Sequence, residues 1–187
     1  MVQTYALPES GYRGDRFRAH PKDLKGCNDV LCLTRPDVVE SIHSRYLDAG
    51  ADVIETCTFN AQAISLADYG LEGLSYEINV AAARAARKSV AALQSKAPGR
   101  EAFVAGSMGP TNRTLSLATD VQNPGHRDVP FDAFVAAYRD QARGLQADLD
   151  NLIAGAELGL QEGMVEEAAL AGLAALWALI QAGPAGP

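Results

Sequence analysis

From Ala51 to Gln62 the chain reads ADVIETCTFNAQ, an apolar run that abruptly turns polar. Glu55, Thr56, Cys57, Thr58 and Asn60 gather a carboxylate, hydroxyls, a thiol and an amide where a buried strand would end. A second stretch, FVAGSMGPTNRT from Phe103 to Thr114, repeats the pattern, with Ser107, Thr111, Asn112 and Arg113 following its apolar run. Hydroxyls and amides both donate and accept hydrogen bonds, and a carboxylate pairs with an ammonium, so these types suit the polar end of a small molecule. Glu55 has two readings at this level: partner of a ligand ammonium, or partner of Arg113. Thr56, Thr58 and Asn60 are equally suited to capping the strand and the turn behind it. Gly106, Gly109 and Pro110 read as turn punctuation, because no Lys-Ser/Thr pair follows as a phosphate-binding P-loop requires.

Alternating helices and strands must position these groups. Asp37 to Ala49 puts Val38, Val39, Ile42, Tyr46 and Ala49 on one helical face, with a capping-box-like start at Thr34 to Asp37 and Gly50 as the stop. His43 falls off that face and reads as a solvated residue. A strand over Ala51 to Thr56 precedes a helix from Ser75 to about Ser95, with Ile78, Ala82, Ala85, Ser89 and Leu93 aligned. Ala102 to Gly106 is a second strand, and Ser107 to Pro130 is a long polar loop. Pro130 opens a helix whose face carries Phe131, Phe134, Val135, Tyr138, Ala142 and Leu145. Asn151 to Ala154 reads as a short third strand, and an Ala/Leu-rich helix follows from Met164 to Ile180. This order predicts right-handed βαβ units on a parallel sheet, where ligands bind at the carboxyl ends of the strands.

The bulk composition narrows the function. A net charge of −7 with scattered basic residues offers no footprint for nucleic acid. The most apolar segment, Ala168 to Ile180, has thirteen residues against the ~20 of a membrane span, and no signal-peptide pattern opens the chain. Cys27, Cys32 and Cys57 read as free thiols of a cytoplasmic protein, without the spacing of a zinc site.

A longer set of segments carries a family resemblance. GADVIETCTFNAQAISLADYGLE and FVAGSMGPTNRTLSL are joined by YRGDRF, DLKGCNDVLCLTRPDVVESIHSRYLDAG, YEINVAAARAAR and FDAFVAAYR. Over roughly Val2 to Leu145 they resemble the homocysteine-binding (homocysteine S-methyltransferase) domain at the amino end of cobalamin-dependent methionine synthases. The resemblance implies a (β/α)8 barrel in which a zinc ion on three cysteines binds the homocysteine sulfur as a thiolate. That thiolate takes a methyl group from methylcobalamin, and separate domains carry the cobalamin and folate. It also implies that Glu55, Thr56, Thr58, Asn60, Ser107 and Asn112 form the neighbourhood holding the amino-acid end of homocysteine.

The chain departs from this family in three places. Met1 to Tyr5 stands just after where the family's opening Asp-Gly-Gly/Ala-Met-Gly-Thr strand lies. Asp148 to Gly155 replaces a strand ending in Ile-Glu-Thr, and Glu157 is a poor substitute for its Glu. The zinc cysteines belong to the distal half of the barrel, and Cys57 occupies a position where the family usually has Asn. The resulting expectation is a partial (β/α)8 barrel of about three βα units over residues 1–146, with a divergent helical tail over 147–187. A barrel takes ~250 residues. The expected function is that of a homocysteine S-methyltransferase fragment, inactive by itself and without its own zinc ligands. Two alternatives stand beside it: a non-catalytic α/β module that self-associates through an exposed sheet edge, and a barrel enzyme whose Ser107 to Thr111 loop binds a phosphorylated metabolite.

Overall fold

The two apolar runs pair side by side. In the computed structural model, which describes residues 1–113, 122, 123 and 125–147, strands β1 (Val53–Glu55) and β2 (Phe103–Ala105) form a parallel two-stranded sheet. The register sets Val53 beside Phe103 and Glu55 beside Ala105. Main-chain bonds continue one residue past each end of β1, from Phe103 N–H to the Asp52 carbonyl at 2.8 Å and from Thr56 N–H to the Ala105 carbonyl at 2.9 Å.

Helices cover one face of this sheet. The short α1 (Glu9–Arg13) and α2 (Leu31–Thr34) lead into α3 (Pro36–Asp48), which precedes β1. The single-turn α4 (Ala63–Leu66) and the long α5 (Ser75–Lys96) connect β1 to β2, and α6 (Phe131–Gln146) follows β2. Ile54 projects into a core made by Leu47 of α3, Ala86, Val90 and Leu93 of α5, and Ala102. A larger cluster joins Tyr12, Leu24, Leu31, Leu66, Leu71 and Ile78 beneath the loops. All five residues that periodicity aligned on α5, from Ile78 to Leu93, are buried. Helix α6 lies close against α5 because position 144 is glycine: a Cβ there would sit 2.7 Å from the Tyr76 carbonyl oxygen and 2.8 Å from Asn79 Cβ.

Three details differ from the sequence pattern. The buried face of α3 is Val38, Val39, His43 and Leu47, whereas Tyr46 is 50% exposed. Residues 39, 43 and 47 recur every fourth position, one step round the helix from the face read in sequence. His43 is therefore inside, and its Nε2 lies 3.1 Å from the Glu55 carbonyl. The start of α3 has no side-chain cap; Pro36 occupies its first turn, and Asp37 pairs with Arg35 at 2.7 Å. On α6 the buried positions are Phe134, Ala137, Gln141, Gly144 and Leu145, while Phe131 is exposed. The expected third strand and the Ala/Leu-rich helix lie outside the described residues. Among the described residues, no helix is long and apolar enough to cross a membrane.

Candidate functional site

Parallel pairing brings both polar stretches to one end of the sheet, and hydrogen bonds join them there. Thr56 Oγ1 accepts the Ser107 N–H at 2.9 Å, and Thr58 Oγ1 donates to the Ser107 carbonyl at 2.7 Å. The two threonine hydroxyls lie 2.6 Å apart. Thr56 is 4% and Thr58 0% exposed, so the hydroxyls act between the strand ends and face away from solvent. Gln141 of α6, fully buried, donates its Nε2 to the Thr58 carbonyl at 2.7 Å.

The turn after β1 is held as firmly. The Asn60 N–H donates to Asp29 Oδ1 at 3.0 Å, and the carbonyl of the same peptide group, on Phe59, accepts the Gly109 N–H at 2.9 Å. Gly109 is required by this contact, since a Cβ at that position would come within 2.5 Å of the Phe59 oxygen. Tyr138 of α6 donates its hydroxyl to the Gly109 carbonyl at 2.9 Å. The amides of Ser107 and Gly109 are thus engaged within the protein, which removes them from the anion-loop reading.

Glu55 is placed differently. Its main chain faces away from β2, because the bonds at Asp52 and Thr56 turn alternate residues toward that strand. Its side chain is exposed, with Ser107 Oγ 3.4 Å from the carboxylate. Arg113 is not its partner: Arg113 Nη2 pairs with Asp68 Oδ1 at 3.3 Å, and Asn112 Nδ2 donates to the other Asp68 oxygen. Asn60 is exposed on the turn and Ser107 is half-buried between the two tips. A groove of about 500 Å³ runs along the outer edge of β1, lined in part by Val39, His43, Val53 and Glu55. Of the six sequence-chosen residues, Glu55, Thr56, Thr58 and Ser107 form one connected group; Asn60 stands on the adjoining turn and Asn112 is turned toward Asp68.

Asp29 and Gln141 escaped the sequence reading. Each is a polar residue inside an apolar pattern, Asp29 between Cys27 and Val30-Leu31, Gln141 seven positions after Phe134. That mismatch was the available signal. Burial pushes the Asp29 carboxyl up to about 6, opposed by the Asn60 N–H. Burial also holds the His43 imidazole below its usual range, partly offset by the Glu55 carbonyl.

The three cysteines gather beneath this turn but do not suit zinc. Cys57 Sγ donates to the Asn28 carbonyl at 3.5 Å, and Cys32 Sγ to the Cys57 carbonyl at 3.6 Å. Burial, and then Asp29, push the Cys27 thiol up to about 12, while Cys57 and burial raise that of Cys32. Zinc needs thiolates, and the Cys27 and Cys32 thiols are held protonated. Among the described residues, no group of three or more His, Cys, Asp and Glu is arranged to hold a metal ion.

Comparison with known proteins bears on the fold and the family. The chain aligns structurally with the crystal structure of the homocysteine methyltransferase MmuM from Escherichia coli in its metallated form, at 27% identity and a TM-score of 0.50, covering 63% of this chain and 41% of that one. The oxidized form of the same enzyme aligns at 25% identity and a TM-score of 0.50, covering 63% and 40%. The chain therefore spans well under half the length of these structures. The family model described as homocysteine S-methyltransferase matches residues 2–166, across both strands, their polar tips and all the described helices, and the chain belongs to that family.

Proposed function

We propose that the strand tips bind the amino-acid end of homocysteine, as part of a cytoplasmic methyl-transfer system of the methionine synthase type. The observation that carries this reading is Glu55: an exposed carboxylate at the shared end of two parallel strands, beside the Ser107 hydroxyl, with Arg113 engaged elsewhere. An α-ammonium group fits such a carboxylate, and the Ser107 hydroxyl and Asn60 amide supply further polar partners. Thr56 and Thr58 serve the site by fixing Ser107, and Asn112 by joining its loop to Asp68. The methyl group would come from methylcobalamin on a separate domain, itself recharged by a folate domain. Residues 1–146 are taken as part of a (β/α)8 barrel and 147–187 as an appended helical segment. The metal that would activate the sulfur has no fitting ligand set among the described residues, so the purified chain alone is expected to produce no methionine from homocysteine and methylcobalamin. Calorimetric titration with homocysteine tests the binding itself. Heat should appear with the wild-type chain and fall by about tenfold in affinity for Glu55→Gln, the size of one charged hydrogen-bonded contact; equal binding by both proteins rejects the assignment.

A second reading has an observation of its own. The Val53 main chain faces the groove on the outer edge of β1, and the exposed side chains of Val53, Tyr46 and Met1 line it. Edge strands with apolar surroundings pair with other strands. Self-association there would appear in light scattering as a dimer that Val53→Lys converts to monomer. A wild-type monomer at all concentrations ends this reading.

A further inference from the structure

Asp29 is one of the most deeply buried charged residues of the described chain, at 5% exposure, and it sits behind the turn rather than in the groove. The titratable groups that interact with it are Cys27, Cys32 and Tyr69, and none of these is basic. Its Oδ1 accepts the Asn60 N–H at 3.0 Å. The other end of that peptide group, the Phe59 carbonyl, takes the Gly109 N–H at 2.9 Å, and Tyr138 holds the Gly109 carbonyl at 2.9 Å. One peptide plane therefore links the loop after β2 to a carboxyl group on the far side of β1. A charged acceptor polarises the peptide that donates to it and strengthens that peptide's carbonyl as an acceptor in turn.

We propose that Asp29 is a positioning residue, whose carboxylate sets the Phe59–Asn60 peptide and, through it, the placement of the Ser107 to Gly109 loop beside Glu55. It touches no proposed ligand atom and acts through main-chain groups. The role in ligand binding rests on the homocysteine reading above; the coupling between Asp29 and Gly109 does not. Because burial raises the carboxyl to about 6, the charged form and the tighter loop belong to the pH range above that value. Below it, a neutral acid remains as a weaker acceptor.

Amide resonances followed by NMR from pH 5 to 8 test the coupling without any ligand. In the wild type, the Asn60 and Gly109 amides should shift together with one midpoint near 6. Asp29→Asn keeps an oxygen acceptor and the shape but cannot ionise, so both amides should lose that shared midpoint. A Gly109 amide that holds still while Asn60 titrates, or an Asn60 amide that does not titrate, overturns the proposal. Should the variant fail to fold, the wild-type titration alone decides it. Burial holds His43 below its usual range, and any shift it causes persists in Asp29→Asn, which separates the two. Homocysteine affinity should rise by about tenfold across the same midpoint in the wild type and be flat in the variant. Binding with the same pH profile in both proteins rejects the functional part, whereas wild-type chain that binds no homocysteine at any pH rejects the binding assignment and leaves the amide result to decide the coupling.

Discussion

Between residues 53 and 59, even and odd positions live in different environments. Ile54, Thr56 and Thr58 are 4%, 4% and 0% exposed, whereas Val53 and Phe59 are each 55% exposed and Glu55 is open. The alternation is that of a strand with one covered face, and it continues beyond the last strand residue into the polar tip. Even positions meet α3 and α5 or tie the two tips together; Val53 lies beside Phe103, itself 43% exposed, and among the odd positions only Cys57 is half-buried, against Asn28. The lesson concerns chemistry as much as packing. Thr56 and Thr58 look like ligand groups in the sequence, yet their parity commits them to the protein, while the Glu55 side chain stays exposed.

The largest expected effect tests the covered side. Ile54→Ala should destabilise the fold by about 2–5 kcal/mol in chemical denaturation, as a cavity in a helix-covered core does; a change below about 1 kcal/mol would break the contrast. The next effect has the opposite sign. The folded-state pKa of Asp29 lies near 6, above its ordinary 3.8, so its contribution to stability is complete below the unfolded value and is lost as pH rises through 6. Asp29→Asn should therefore be more stable than wild type at pH 7.5 by up to about 3 kcal/mol, with the difference vanishing below about pH 4. Equal stability at both pH values would mean that the carboxyl is not buried in solution. Thr58→Val keeps the shape but leaves the Ser107 carbonyl without its donor, which should cost about 1–3 kcal/mol. The smallest effect belongs to the open side: Val53→Thr should stay within about 0.5 kcal/mol of wild type by the same measurement. A large loss there would show that the odd face is covered after all.

Much of the architecture is legible in the letters because it follows from local periodicity. The α5 stripe from Ile78 to Leu93, the two short strands and the parallel order of elements all repeat at distances that a helix or strand imposes by itself. Errors arose where burial depends on a neighbour. His43 is inside because α3 is rotated one position from its most apolar reading, allowing the imidazole to reach the Glu55 carbonyl. Gln141 lies on a buried stripe because the Thr58 carbonyl, eighty-three residues away, needs a donor. Nothing local announces either contact.

The same division holds for the site. Its residue types, its place at the ends of two parallel strands and the family to which it belongs were determined by the sequence alone, since motifs and spacing are properties of the chain. Only the tertiary structure decided which groups remain available. Arg113 goes to Asp68 and not to Glu55, the threonine hydroxyls lock the tips, and Asp29 reaches the Phe59–Asn60 peptide from behind. The physical reason is that a hydrogen bond is short and directional, so each donor's partner is settled by which surfaces fold into contact, and sequence separation says little about that.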